Sequence, residues 1–343
     1  MAIYAYVSLQ GEDRISIFAM DPDTGALEHQ GDSALASMPA PLAIDTQKRY
    51  LFAGRRQAGD YGLSSFLIDH ATGGLTLIGG VAVQGNPVHI STDRKGGYLL
   101  SAYYYQERVA VHPIGGDGSL GDPPIEWRKT GTGSHYVQTD PSNRYAFVPH
   151  IAEGAMTGLN TILQFKFDDA SGTLTPNATP RAVTQALDGP RHICFHPNLD
   201  IVYSSNEQGC SVTAYNFDSS QGTLSPFQTV STLPQGYTDR NTCSQIQITP
   251  SGKFLYAPNR GHNSIACFGV DKIDGRLTSI GQVATEPVPR AFSLDPTGKY
   301  LFAAGQDSGR LAGYRVNEAS GLLEPLRVYA VGQEPMWVLI TEL

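Results

Sequence analysis

The sequence predicts an all-β protein, a seven-bladed β-propeller whose ring is closed by pairing of the N- and C-terminal strands in one blade. Three observations carry this expectation. Gly and Pro are frequent, 37 and 22 of 343 residues, and charged residues make up only 16% against ~25% in average proteins, a composition of many turns and few solvated helix faces. A tight-turn motif recurs seven times at a period near 49 residues. A second motif interleaves with it six times, and the two halves of a seventh copy lie at opposite ends of the chain.

The tight turn reads as an acidic residue or Asn, then Gly, then Leu two residues later. Its copies are Asp21–Leu27, Asp69–Leu75, Gly115–Leu120, Asp168–Leu174, Asp218–Leu224, Asp271–Leu277 and Asn317–Leu323, with closing leucines 48, 45, 54, 50, 53 and 46 residues apart. A polar, Gly-containing turn between alternating segments is a hairpin. The second motif is a polar turn followed by an apolar strand that opens with Tyr, Phe or Ile: Asp45–Phe52, Asp93–Leu100, Asp140–Phe147, His196–Tyr203, Thr249–Tyr256 and Asp295–Phe302. Met336–Thr341 matches the strand before this turn and Ile3–Val7 the strand after it. Pairing the two closes the ring and removes exposed sheet edges. The whole chain, 1–343, is expected to form one propeller domain.

The remaining composition narrows the function classes. The net charge is −8 and no Lys/Arg run is present, so the electrostatic footprint of a nucleic-acid binder is missing. Cys194, Cys210, Cys243 and Cys267 form no C-x-x-C pair, which argues against a zinc knuckle, a redox motif or haem attachment and fits a reducing compartment. The N-terminal residues lack a secretory pattern and no apolar run reaches 18 residues. A cytoplasmic protein that takes no metal or cofactor is expected.

In a propeller the innermost strand of each blade lines the channel, so equivalent positions converge at one mouth. Ten residues before each aromatic opener stand Ala40, Val88, His135, Arg191, Ser244 and Arg290, with Met336 in the divided blade. Six residues after it stand Arg56, Tyr104, Ile151, Glu207, Arg260 and Gln306, with Gln10 from the N-terminal strand and His150 one residue earlier than Ile151. Adjacent strands run antiparallel, which puts both sets at one end. Glu207, His150, Arg191, Arg260, Arg290 and His135 are thereby gathered round one mouth as a candidate ligand site, with Arg56, Tyr104 and Gln306 as further substrate-binding candidates. Buried arginines gather where an anion compensates them. An ion-pair network bracing neighbouring blades is the alternative for Arg191, Glu207 and Arg260.

His192 and His196 are four apart, which on a strand separates them by ~13 Å and argues against a shared metal; His196 reads as a turn residue. His89, His112 and His262 are taken as structural or solvated. The polar segments Leu233–Thr242 and Ile151–Asn160 are long enough to be binding lids, with Tyr237 and Arg240 as candidate contacts.

Several motifs carry a resemblance over essentially the whole chain. Gly189-Pro190-Arg191-His192 with Phe195-His196-Pro197, Asn206-Glu207, Gln228–Pro234, Asn241-Thr242, Asn259-Arg260-Gly261-His262 and Pro289-Arg290 resemble the seven-bladed propeller lactonase family, which includes bacterial 6-phosphogluconolactonase and the fungal carboxymuconate lactonizing enzyme. The stretch from Gly189 to Pro296 is the most specific. The resemblance implies a site at the channel mouth using Arg191, Glu207 and Arg260, with His150 as a further match, and no metal. It implies hydrolysis of a sugar lactone, foremost 6-phosphoglucono-δ-lactone of the pentose phosphate pathway. His150 instead suits the muconate-processing branch, with lactonization or hydrolysis of a carboxylated lactone.

Lactone hydrolysis needs an activated water, oxyanion stabilisation and a proton for the leaving oxygen. Glu207 or His150 is the candidate base, Arg191 and Arg260 stabilise the oxyanion or grip an anionic group, and His150 can return the proton. No G-x-S-x-G is present, which argues against an acyl-enzyme. The contrasting class is a non-enzymatic interaction scaffold, for which a WD signature is missing.

Overall fold

The computed structural model describes residues 2–154 and 157–343. They form seven antiparallel sheets, each with four strands from the channel outwards except that the innermost strand of one is in two pieces. Blade 1 runs Pro335–Glu342, Ile3–Leu9, Arg14–Met20 and Leu27–Ala34. The chain ends therefore close the ring as expected, with Ile3 opposite Glu342 and Val7 opposite Val338. The innermost strands of blades 2 to 7 begin at Pro39, Pro87, Gln138, Pro190, Thr242 and Pro289. Apolar residues that alternate along the strands interlock between adjacent blades: Ile3, Val7 and Phe18 of blade 1 pack with Phe302, Ala304 and Leu311 of blade 7. Among the described residues, no helix is long and apolar enough to cross a membrane.

The two sequence motifs recur together because they touch. Each strand that follows the second motif sends a tyrosine hydroxyl to a carbonyl in the tight turn of the next blade: Tyr50 to Gly116, Tyr98 to Ala170, Tyr145 to Ser220 and Tyr300 to Asp23, at 2.5–2.9 Å. Where Ile201 or Phe254 opens the strand, the hydroxyl comes from two residues later, Tyr203 to Gly275 and Tyr256 to Gly321. Blade 1 uses Tyr4 and Tyr6 on Ala71 and Gly73. The set links every blade to its neighbour and runs continuously round the ring.

The glycine in the turn is what lets the aromatic ring lie this close. At Gly222, φ is +69° and an added Cβ would sit 2.0 Å from Tyr145 Cδ1. Gly222→Ala meets both the left-handed backbone penalty and a clash with a ring held at both ends. It is expected to cost about 2–4 kcal/mol, read as a drop in the urea midpoint at unchanged m-value. A loss below 0.5 kcal/mol, on the order of an ordinary surface change, would show that the turn yields.

Candidate active site

The channel mouth is built from backbone irregularities. In blades 3, 5 and 7 the pairing of the innermost strand slips between Pro87 and His89, Pro190 and His192, and Pro289 and Ala291. In blade 1 the strand pairs Pro335 with Leu9 and Trp337 with Ser8. The residue left out each time is Val88, Arg191, Arg290 or Met336. Blade 2 slips between Pro39 and Leu42, leaving out Ala40 and Pro41. A bulge re-aims the side chain that the ladder skips. Here it turns these residues to a small cavity lined by Ala40, Val88, Arg191, Arg290 and Met336 together with Arg56, Gln245 and Trp337. Five of the seven ring positions counted on the inner strands, Ala40, Val88, Arg191, Arg290 and Met336, are thus bulge positions. In blades 4 and 6 the inner strand is interrupted, leaving His135 and Ser244 at the corresponding places.

At this mouth Glu207 lies between two arginines. Its Oε2 is 2.8 Å from Arg191 Nε and its Oε1 is 3.0 Å from Arg260 Nη2, with side-chain exposures of 14, 3 and 12% for Glu207, Arg191 and Arg260. The Arg191 contact is an ion pair bent away from hydrogen-bond geometry, so Arg191 Nε and Nη1 and Glu207 Oε2 remain without hydrogen-bond partners among the described residues, as does Arg260 Nε. Arg260 Nη2 also donates to the Cys243 carbonyl at 2.6 Å. Arg56 Nε donates to Asn86 Oδ1 at 2.7 Å. Among the described residues, no hydrogen bond or ion pair holds the Arg290 guanidinium.

Four arginines therefore face one carboxylate. Burial opposes ionisation of Glu207, but Arg260, Arg191 and Arg290 outweigh it and hold the carboxyl below its usual range. Burial, then repulsion from Arg260, pushes Arg191 down to about 9, against the pull of Glu207. Burial and the charges of Arg191, Arg260 and Arg56 push Arg290 well down. The mutual repulsion of these cations would be relieved by an anion. Buried polar atoms without partners are rare, and here Arg191 brings two of them to the cavity while Glu207 Oε2 and Arg260 Nε lie in the ion-pair unit beside it.

The histidines divide into two groups. His135 lies in the field of Arg191, Arg290 and Arg260, which with burial keep it neutral, and its Nδ1 is unpartnered among the described residues. Its ring is 5.6 Å from that of His192, which contacts Tyr136 at 4.8 Å and Trp337 at 6.1 Å; His89 lies 3.9 Å from Tyr136. These rings form a belt across the channel beneath the arginines. His150 is not brought to the cluster. It shares the strand face of Ala146 and Val148, which pack in the core between blades 3 and 4. Its Nδ1 contacts the Val148 carbonyl at 2.8 Å, and the cation that acts on it is Arg181. The alternation of the strand turns it away, which the ring count could not register.

Tyr104 lies edge-on to His135 at 6.4 Å, beside the site. Gln306 is half-buried and its N–H donates to the Val288 carbonyl; it does not line the cavity. His196 Nδ1 accepts from the N–H groups of Asn198 and Leu199 at 3.0 Å, a turn role. His112 contacts the Gly121 carbonyl, and His262 contacts Ser264 Oγ and the ring of Tyr237. Arg240 is exposed. Of the segment Ile151–Asn160, residues 155 and 156 lie outside the described residues. The rest is tied to the turn after Glu207, where Gln208 accepts from Ala152 N–H and donates to the Glu153 carbonyl.

Sequence reasoning missed Asn86, Gln208, Gln245 and Trp337. Gln245 and Trp337 directly follow the ring positions Ser244 and Met336, the one signal that could have found them. A cavity of about 640 Å³ opens beyond the ring belt and is lined by Arg94, Gln138, His196, Gln247 and their neighbours. Its Arg94, Gln138 and Gln247 are engaged with the protein itself. The smaller arginine mouth, with its unsatisfied charge, is the better candidate for chemistry.

Comparison with known proteins agrees with this architecture. The family described as lactonase, 7-bladed beta-propeller matches residues 3–340. A 6-phosphogluconolactonase of Pectobacterium carotovorum is 37% identical over 303 residues, 88% of each chain. One from Serratia proteamaculans is 33% identical over 335 residues, 98% of each. The periplasmic gluconolactonase of Pseudomonas aeruginosa superposes with a TM-score of 0.90 over 99% of each chain at 23% identity, a likeness of fold.

Proposed function

Since the chain belongs to the seven-bladed β-propeller lactonase family, and is by that membership and its relatives a lactone-hydrolysing enzyme, we propose that it hydrolyses 6-phosphoglucono-δ-lactone to 6-phosphogluconate at the arginine mouth. The observation that carries the reading is the surplus of positive charge there: Arg56 and Arg290 with no carboxylate of their own, next to the Arg191–Glu207–Arg260 unit. Arg56 and Arg290 hold the phosphate by charge-assisted bonds. Arg191 and Arg260 face the lactone carbonyl and stabilise the oxyanion.

Glu207 takes the proton of the attacking water. In the free enzyme the arginines make it a weak base, but a bound phosphate neutralises part of their field. That removes the cause of its lowered pKa, so the substrate sharpens its own catalyst. Water oxygen bonds to the carbonyl carbon and its proton goes to Glu207. The tetrahedral intermediate then collapses, the ring C–O bond breaks, and the departing alkoxide takes the proton back from Glu207. His135, neutral and next to the arginines, orients the water. Against the muconate-type alternative stands His150, whose Nδ1 contacts the Val148 carbonyl and whose strand face is that of Ala146 and Val148.

The test is lactone loss above the spontaneous background for 6-phosphoglucono-δ-lactone and for glucono-δ-lactone. Strong preference for the phosphorylated substrate is expected, and equal rates would overturn the phosphate assignment. Arg290→Gln is expected to raise KM for the phosphorylated lactone by roughly 10–100-fold while leaving the non-phosphorylated one nearly unchanged. Because one of four mutually repelling cations is removed, the free variant should melt no lower than the parent. A matched rise in KM for both substrates would place Arg290 elsewhere.

A further inference from the structure

Behind the Glu207–Arg260 pair lie two thiols that the proposed reaction does not use. Cys210 sits at the tip of the hairpin that follows Glu207, in blade 5, half-buried and at φ 45°. Cys243 is fully buried on the inner strand of blade 6, opposite Asn259. The two side chains contact each other and share a frame. Thr232 Oγ1 donates to the Cys210 carbonyl at 2.9 Å and lies 3.3 Å from Cys243 Sγ. Asn241 Nδ2 is 3.4 Å from Cys210 Sγ and 3.0 Å from Asn259 Oδ1, which lies 3.7 Å from Cys243 Sγ. The peptide of Cys243 also holds the site, its N–H donating to the Glu207 carbonyl and its C=O accepting from Arg260.

We propose that Cys210 and Cys243 form a reversible dithiol–disulfide pair that crosslinks blades 5 and 6 and slows the enzyme when oxidised. Cys210 is the attacking sulfur, being the reachable one of the two. Contact with Cys243 and Asn241, and the charge of Arg260, favour its thiolate over that of Cys243. With a hydroperoxide as oxidant, the Cys210 thiolate attacks the O–O bond, an S–O bond forms, and the departing alkoxide or hydroxide takes a proton. Cys243 then loses its proton and attacks the sulfenic sulfur; the S–S bond forms, the S–O bond breaks, and hydroxide leaves as water. The peroxide is reduced by two electrons and the thiol pair oxidised by two. Forming the bond draws the Cys243 peptide towards the hairpin tip and away from the positions that set Glu207 and Arg260.

Cys194 and Cys267 serve as internal controls, since burial pushes both thiols up, Cys267 to about 12. The purified full chain is titrated with hydrogen peroxide and read by intact mass and differential alkylation. The expected result is a loss of two hydrogens confined to Cys210 and Cys243, reversed by a thiol reductant. Cys210→Ser should abolish it and Cys243→Ser should stop at a dimedone-trappable sulfenic acid on Cys210. Both thiols remaining alkylatable at one equivalent of peroxide overturns the pair. The rate consequence rests on the lactonase reading: oxidation should lower turnover about tenfold, reversibly, and not in Cys210→Ser, whose reduced rate equals the parent's. A disulfide that leaves the rate unchanged overturns the regulatory part, whereas an inactive reduced enzyme would count against the lactonase reading alone.

Discussion

Glu207→Gln lowers kcat for 6-phosphoglucono-δ-lactone by roughly 10²–10⁴-fold, the range for loss of a positioned acid–base group. The side chain keeps its size, but it can neither accept the water proton nor return it to the leaving alkoxide. The substitution also leaves Arg191 and Arg260 without their counter-ion. Removing one member of a buried pair costs about 3–5 kcal/mol, so the variant should melt earlier than the parent. Inorganic phosphate separates the two effects. It should restore much of the lost thermal stability by occupying the cationic mouth, while the rate stays low. Turnover within threefold of the parent would place the base elsewhere.

Acid should unfold the protein through its buried histidines. Six histidines are buried, and four of them, His89, His135, His150 and His192, are held furthest towards the neutral form. Burial lowers each of them, His89 to about 3 and His150 to about 4, with Arg191 adding to the effect at His89, His135 and His192. In the unfolded chain each gains a proton near pH 6.5. Below that pH the unfolded state binds more protons than the folded one, so stability falls with pH until the folded pKa values are reached. The slope is ~1.4 kcal/mol per histidine per pH unit, or about 5 for the four together. Against a typical stability of about 5–15 kcal/mol, the midpoint of acid unfolding should fall between about pH 4 and pH 5.5. Denaturant titrations from pH 8 to pH 4.5 would show it, and His150→Gln should flatten the curve by one histidine's share. A midpoint that does not move between pH 7 and pH 5 would contradict the assignment of these rings as neutral.

The architecture was legible because the repeating residues make repeating contacts. A turn such as Asp218–Leu224 keeps its glycine because Tyr145 lies on it, and the tyrosine recurs because it needs that carbonyl. Arg191 and Arg290 could be found by counting because the bulge falls at the same place in their two blades and in blades 1 and 3. His150 failed because one residue of displacement on a strand reverses the side on which a side chain stands, and the count located positions without their direction. The belt of His89, Tyr136, His192 and Trp337, and the pairing of Cys210 with Cys243, depend on how neighbouring blades meet. No period within one blade encodes that.

Taken in order round the mouth, the inner-strand ring positions divide into two arcs. Met336, Ala40 and Val88 come from three consecutive blades, and His135, Arg191, Ser244 and Arg290 from the next four. Among these residues one arc is apolar and the other carries Arg191 and Arg290, while Arg56 reaches the mouth from blade 2, on a ring whose sense of rotation is fixed by the chain. On the proposed reading a sugar lactone offers a C–H face to the first arc, its ester to the second and its phosphate to Arg56 and Arg290. Its mirror image, laid with the same groups on the same arcs, would present the opposite face of its carbonyl to Glu207. The seven rim residues together thus make the mouth enantioselective, although no single side chain among them is.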